Sequence, residues 1–182
     1  DADSLAKRAE IEAREILHNC ASAKDQTELR KETWRIRHLL ERQKSTGKKG
    51  EEINIKFGEG GLQDIYFAIR YLQLRDNIPD DAEDRSSLYS LKKLRENDSL
   101  SEERFTALTE GYGYLSRLDH ALRLTLGRST RLSLGNKQAL KLLAKRMGLS
   151  SADKLLQNLT YHRLNIRSTF EAILKANDEE SL

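Results

Sequence analysis

Apolar residues along the chain recur mostly at intervals of three and four, the period of an α-helix. Ser4 to about Ala23 predicts a first helix, with Leu5, Ala9, Ala13, Ile16, Leu17 and Cys20 on or near one face. Asp25 is placed to cap a second, to about Gln43, with Leu29, Thr33, Ile36, Leu39 and Leu40 inward. Ser45–Gly50 breaks the pattern and reads as a surface loop. Glu51 to Phe57 alternates through Ile53, Ile55 and Phe57, an extended stretch, but a lone strand needs a partner, so no sheet is predicted. Gly58-Glu59-Gly60-Gly61 opens a third helix, about Leu62 to Arg75, on Leu62, Ile65, Ala68, Ile69 and Leu72. Asp76–Asp84 is an acidic connector, and Ser86 to about Asn97 a short helix on Leu88, Leu91 and Leu94.

The clearest amphipathic run starts at Ser101, with Glu102 and Glu103 in the first turn, where they suit the helix dipole. Phe105, Leu108, Tyr112, Leu115, Leu118, Leu122 and Leu126 then step by 3, 4, 3, 3, 4 and 4. Gly127–Gly135 reads as a loop. Asn136 caps a helix on Leu140, Leu143, Ala144 and Met147 that stops at Gly148. Ser150 or Ser151 starts the last, with Leu155, Leu159, His162 or Arg163, Ile166, Phe170 and Ile173 inward. Together these predict an all-α bundle of about seven helices. It forms one helical domain over residues 1–176, followed by an acidic tail at 177–182.

Composition narrows the class. A single Pro among 182 residues excludes a proline-rich or collagen-like chain, and a single Cys excludes an internal disulfide. The sequence has neither an apolar run of about 18 residues nor a basic start followed by an apolar segment, so neither a membrane span nor a signal peptide is expected. The expected compartment is the cytoplasm. The first residue is Asp1 rather than Met, which suggests a piece of a longer protein. Charge is segregated. Residues 76–110 hold 10 acidic and 5 basic side chains, whereas 111–176 hold 12 basic and 3 acidic. A basic half attracts phosphate, nucleic acid or an acidic protein face, or simply solvates helix surfaces. No nucleic-acid reading motif accompanies it, so no nucleic-acid partner is expected.

Candidate chemistry is sparse. His18, His38, His120 and His162 stand at no metal-type spacing with one another or with Cys20, which reads as a buried thiol on a helix face. Asp1-x-Asp3 reads as two solvated acids. No catalytic and no metal-ligating residue is predicted. The unusual segment is Lys56-Phe57-Gly58-Glu59-Gly60-Gly61-Leu62-Gln63-Asp64-Ile65, which holds three of the ten glycines in four positions. A helix follows at once, so its first N–H groups point back at the turn, a geometry that suits an anion, with Lys56 adding positive charge. Two other arrangements fit as well: Asp64 satisfying those N–H groups itself, or a tight turn that lets two helices pack.

Lys56 to Phe67 resembles the Lys-x-Gly-Pro-Gly-Gly-Ile-Arg-Asp-Ile-Glu-Phe signature of the glutamate–ammonia-ligase adenylyltransferase family, which modifies glutamine synthetase. Arg35-Ile36-Arg37 with Glu41-Arg42 is similar to the helix that precedes the signature. Gly111 to Leu122 resembles the family's Ala-Tyr-x-Phe-Leu-Arg-x-Leu-Glu-His-x-Leu. Thr130-Arg131-Leu132, Leu143 to Gly148, and His162-Arg163 through Arg167 to Phe170 fit the remainder, so the resemblance covers about residues 25–176. Lys56, Gly58, Gly60, Gly61 and Asp64 match the signature, His120 matches directly and Arg117 with a one-residue shift. Glu59, Gln63 and Tyr66 depart from it, replacing Pro, Arg and Glu.

The resemblance implies a helical domain that follows a nucleotidyltransferase domain of the same chain. It implies ATP and Mg²⁺ for the parent enzyme but no cofactor here, and glutamine synthetase and the PII protein as partners. It places Lys56 and Asp64 at the interface with the catalytic domain. Two alternatives stay open: the equivalent domain of a PII uridylyltransferase, and a non-catalytic helical interaction module.

Overall fold

The computed structural model describes residues 2–44, 51–80, 84–127 and 130–175, with side chains from Leu5 onward. Ser45–Gly50, the tail at 177–182, Asp1, the Asp3 side chain, residues 81–83 of the acidic connector and Arg128 lie outside the described residues.

Local signals place the helices. They are α1 (Ala2–Ser22), α2 (Gln26–Lys44), α3 (Leu62–Arg75), α4 (Ser87–Glu96), α5 (Glu102–Leu126), α6 (Lys137–Arg146) and α7 (Ala152–Lys175). Asp25 caps α2 by accepting from the N–H groups of Thr27 and Glu28. Ser86, Ser101 and Asn136 cap α4, α5 and α6, and Ser151 accepts from Lys154 N–H at the start of α7. Each such cap is worth about 1 kcal/mol. Gly148, at φ +70°, ends α6 in the left-handed conformation.

The bundle is built on α5 packed against α7, with α6 against both and α3 between α2, α4 and α7. Leu108, Leu115, Leu118 and Leu122 of α5 meet Leu155, Leu159, Ile166 and Phe170 of α7 in one core, all at 0% exposure. Gly111 permits close approach: a Cβ there would stand 2.6 Å from Ile166 Cγ1.

Several expectations are corrected. The extended stretch does have a partner: β1 (Glu52–Asn54) pairs antiparallel with β2 (Arg131–Ser133), inside the segment read as a loop. Ile53 faces Leu132 in the register, and Leu132 is fully buried. The inward face of α2 is corrected in part: Leu29 is buried as expected, but Ile36 and Leu39 are exposed and Arg37 is buried instead. On α1, Leu5, Ile16 and Leu17 are at least 59% exposed and Cys20 is exposed, because this helix rests on α3 along one side and enters no core cluster. Leu88 and Leu126, both read as inward, are also exposed.

His162 stacks on Tyr114, with ring centroids 4.6 Å apart, and the Tyr114 hydroxyl donates to the Leu155 carbonyl at 2.9 Å. Burial pushes His162 below the usual histidine pKa; Glu110 opposes the shift and Arg117 adds to it. The unfolded chain therefore takes up this proton first as pH falls. His162 stabilises the fold fully above the unfolded value of about 6.5 and progressively less as pH drops toward the lower folded value. The urea midpoint of His162→Gln is expected to fall less than that of the wild type between pH 7.5 and 5.5. Identical slopes would show that His162 titrates alike in both states.

Candidate functional site

The glycine segment is a closed turn between β1 and α3. Asn54 organises its entry: its side-chain oxygen accepts from the N–H groups of Lys56 (3.0 Å) and Phe57 (2.9 Å), and its amide donates to the Lys44 carbonyl. The chain then curls so that Gly58 N–H donates to the Asn54 carbonyl and Gly61 N–H to the Gly58 carbonyl. The first N–H groups of α3 are all taken at 3.0 Å, Leu62 by the Ile55 carbonyl, Gln63 by Lys56 and Asp64 by Gly61. These are the groups that would hold an anion at a helix start. Because protein carbonyls occupy them, the tight-turn arrangement describes the molecule and the anion arrangement does not. A Cβ on Gly61 would stand 2.8 Å from the carbonyl oxygens of Gly58, Ile55 and Lys56, so this turn closes only with glycine there.

Asp64 supplies the second part of the closure. Its carboxylate is at 0% exposure and accepts from Gly60 N–H at 2.7 Å. It also accepts from Nε of Arg37, itself fully buried on α2. Arg37 reaches onward, donating to the Gly58 carbonyl at 3.0 Å, and its Nη1 lies 3.2 Å from Glu41. From α7, Arg167 Nη1 lies 3.2 Å from Glu41 and 3.4 Å from Asp64, while its Nε bonds Glu171 at 2.7 Å. The Arg167 guanidinium also sits 5.4 Å over the ring of Trp34, which stacks on Phe170. Its carboxylate neighbours, Asp64 first, hold the Arg167 pKa above the usual guanidinium value against desolvation. One turn earlier, Arg163 Nε donates to the Glu59 carbonyl at 2.9 Å. Two buried or half-buried arginines thus hold α2, the glycine turn and α7 to a single carboxylate. Such a network is strong when every member is satisfied and costly when one is lost.

The predicted residues separate into groups. Gly58, Gly60, Gly61 and Asp64 form the closed turn and are buried. Lys56 is half-buried at its edge, with Nζ 5.4 Å over the Phe57 ring, and Glu59 is exposed. Asp64 therefore positions the turn from within and presents nothing at the surface, whereas Lys56 does. Arg117 and His120 are exposed on α5, and no described contact joins them to the turn; Arg117 donates back to the Gly113 carbonyl. Arg37, Glu41, Arg163 and Arg167 were not singled out as site residues. The available signal was spacing: Arg37 and Glu41, like Arg167 and Glu171, stand four apart, each directly after an apolar residue.

ATP and Mg²⁺ do not fit this site. The N–H groups at the start of α3 are taken by carbonyls and that of Gly60 by the Asp64 carboxylate, which two arginines also hold.

The GlnD PII-uridylyltransferase family model matches residues 25–174, from the α2 cap to the last turn of α7. Bifunctional glutamine synthetase adenylyltransferase/adenylyl-removing enzymes are similar to this chain. The protein of that name from Nitrosomonas europaea is 32% identical over 124 residues, 68% of this chain and 13% of the relative. That from Neisseria meningitidis serogroup A is 28% identical over 74% of this chain and 15% of its own length. That from Aromatoleum aromaticum is 29% identical over 70% and 14%. The chain thus spans about an eighth to a seventh of the relatives it matches.

Proposed function

The chain belongs to the GlnD PII-uridylyltransferase family, and from that membership we propose that it is the helical domain of a bifunctional glutamine synthetase adenylyltransferase/adenylyl-removing enzyme. In this reading it docks beside a nucleotidyltransferase domain of the same protein. That domain supplies the carboxylates for Mg²⁺ and the site for ATP, since moving AMP to a tyrosine hydroxyl of glutamine synthetase needs metal-held phosphates. The helical domain supplies a rigid wall and passes on the state of PII. The compartment in this reading is the cytoplasm. Among the described residues no helix is long and apolar enough to cross a membrane.

The observation that carries the reading is the closed turn. It fixes α2, α3 and α7 to one carboxylate and offers Lys56 at its rim, as a scaffold does. With α-labelled ATP, Mg²⁺ and glutamine synthetase, residues 1–182 alone are expected to transfer no label, and the longer protein that carries them to transfer it. Turnover by the chain alone would end the scaffold reading. Lys56→Ala in the longer protein is expected to lower transfer on the order of tenfold, about 1.4 kcal/mol of barrier, with unchanged folding. An unaltered rate would assign Lys56 to packing alone. The name of the matching family supports a second reading, the corresponding domain of a PII uridylyltransferase. Label passing from UTP to PII, with none from ATP to glutamine synthetase, would select it.

A further inference from the structure

The basic half of the chain carries a second surface, remote in sequence from the glycine turn. A groove of about 730 Å³ runs between α6 and the start of α7. Lys137, Lys141 and Lys145 line it at intervals of four, so they rise along one face of α6 over about 12 Å, two helical turns. All three are exposed, and among the described residues none has an ion pair. The floor is apolar: Leu140 of α6 is buried, and Leu149 and Leu156 are half-buried. Asp153 is the single acid on the rim.

The other large groove, between α1 and α3, makes an instructive contrast. It is lined by Arg14, Arg70 and Arg85, but each already pairs with Glu10 or Asp80. Its cations are held by the protein's own carboxylates and, among the described residues, those of the α6–α7 groove are not.

We propose that the α6–α7 groove is a docking site for an acidic amphipathic helix of a protein partner. The fit is by charge and periodicity together. Carboxylates repeating every four residues on the incoming helix meet Lys137, Lys141 and Lys145 in register. Its leucine stripe fills the floor over Leu140, Leu149 and Leu156. Helix-in-groove recognition uses this pairing of apolar anchors with a charged rim. A purely solvated lysine face needs no apolar floor, and a nucleic-acid phosphate track would not use one. The inference is independent of the adenylyltransferase reading, because it rests on residues outside the glycine turn.

The test uses residues 1–182 and a fluorescent 18-residue helical peptide with glutamate every fourth residue and leucine along the adjoining stripe. Saturable binding by anisotropy is expected, with amide shifts confined to residues 134–156. Lys141→Glu/Lys145→Glu is expected to weaken binding at least tenfold. Lys31→Glu/Lys175→Glu, which changes net charge equally on exposed lysines outside the groove, is expected to leave it within twofold. A peptide with serine in place of leucine is expected to bind at least tenfold more weakly. Circular dichroism checks that both variants stay folded, and Lys141→Ala/Lys145→Ala gives a milder second pair. No saturation at millimolar chain, equal losses in the two charge-reversed variants, or equal binding of the serine peptide would overturn the proposal. So would a single-stranded DNA probe that binds the groove more tightly than the peptide, which would make it a nucleic-acid surface.

Discussion

Asp64→Ala is expected to destabilise the chain by about 3–5 kcal/mol, the cost typical of breaking a buried ion pair by removing one partner. The loss comes from what stays behind. Arg37 is fully buried on α2, and without Asp64 its guanidinium keeps only the Gly58 carbonyl and the nearby Glu41. Gly60 N–H loses its acceptor in the same step, and Arg167 loses one of its three carboxylate neighbours. A domain of this size has about 5–15 kcal/mol of total stability, so the variant should be marginal at 37 °C. Urea unfolding followed by circular dichroism reads the effect. Removing both charges is a different experiment, since a well-packed apolar pair often replaces a buried ion pair at little cost. Arg37→Met/Asp64→Leu is therefore expected to recover at least half of what Asp64→Ala loses. A loss below about 1 kcal/mol in Asp64→Ala would mean that water reaches Arg37 and the junction is not closed.

That junction also marks where sequence reasoning stops. Helix positions were legible because capping and periodicity are local: Asp25 and Asn136 cap the helices they were expected to cap, and Ser86 and Ser101 cap helices expected to begin at them. The sheet was not, because a three-residue strand carries little signal and its partner lies 79 residues away, at the contact of Glu52 with Arg131. The face of α2 was misjudged for a related reason. Periodicity assigns the apolar side to the interior, so Ile36 and Leu39 read inward and Arg37 was not among the inward positions, yet Arg37 is buried because the Asp64 carboxylate, distant in sequence, pairs with it. Asp64 was singled out with the glycine segment, but as an interface residue rather than as the buried partner of two arginines. Its partners come from 27 residues before it and 103 after it, and no spacing rule reaches that far. On α1, a good apolar stripe says only that a helix has something to bury, not that this chain buries it.

Gly60→Ala is expected to be nearly as damaging as Asp64→Ala, through the backbone rather than through charge. Gly60 holds φ at +64°, which costs an L-residue about 1–2 kcal/mol. Its missing Cβ also faces α7 directly: a Cβ there would stand 2.0 Å from the Arg163 carbonyl oxygen and 2.7 Å from the Arg163 Cα. These are helix backbone atoms, so no side-chain rotation relieves the overlap and α7 must move off the turn. Overpacking of this kind adds about 1–3 kcal/mol, for a combined loss of about 2–5 kcal/mol. Movement of α7 also stretches the Arg163–Glu59 bond and carries Arg167 away from Trp34. Trp34 is the only tryptophan, and it stacks on Phe170 of α7, so its fluorescence reports the junction directly. A shifted emission maximum in the folded variant is expected together with the lower urea midpoint. Gly113→Ala provides the opposite sign in the same chain. Gly113 lies within α5, and a Cβ there meets nothing within 4 Å. Alanine in a helix interior should stabilise by about 0.5–1 kcal/mol there, with Trp34 emission unchanged. If the two alanines prove equally harmless, α7 yields at the turn. The glycine segment would then join α3 to the bundle without fixing where α7 lies.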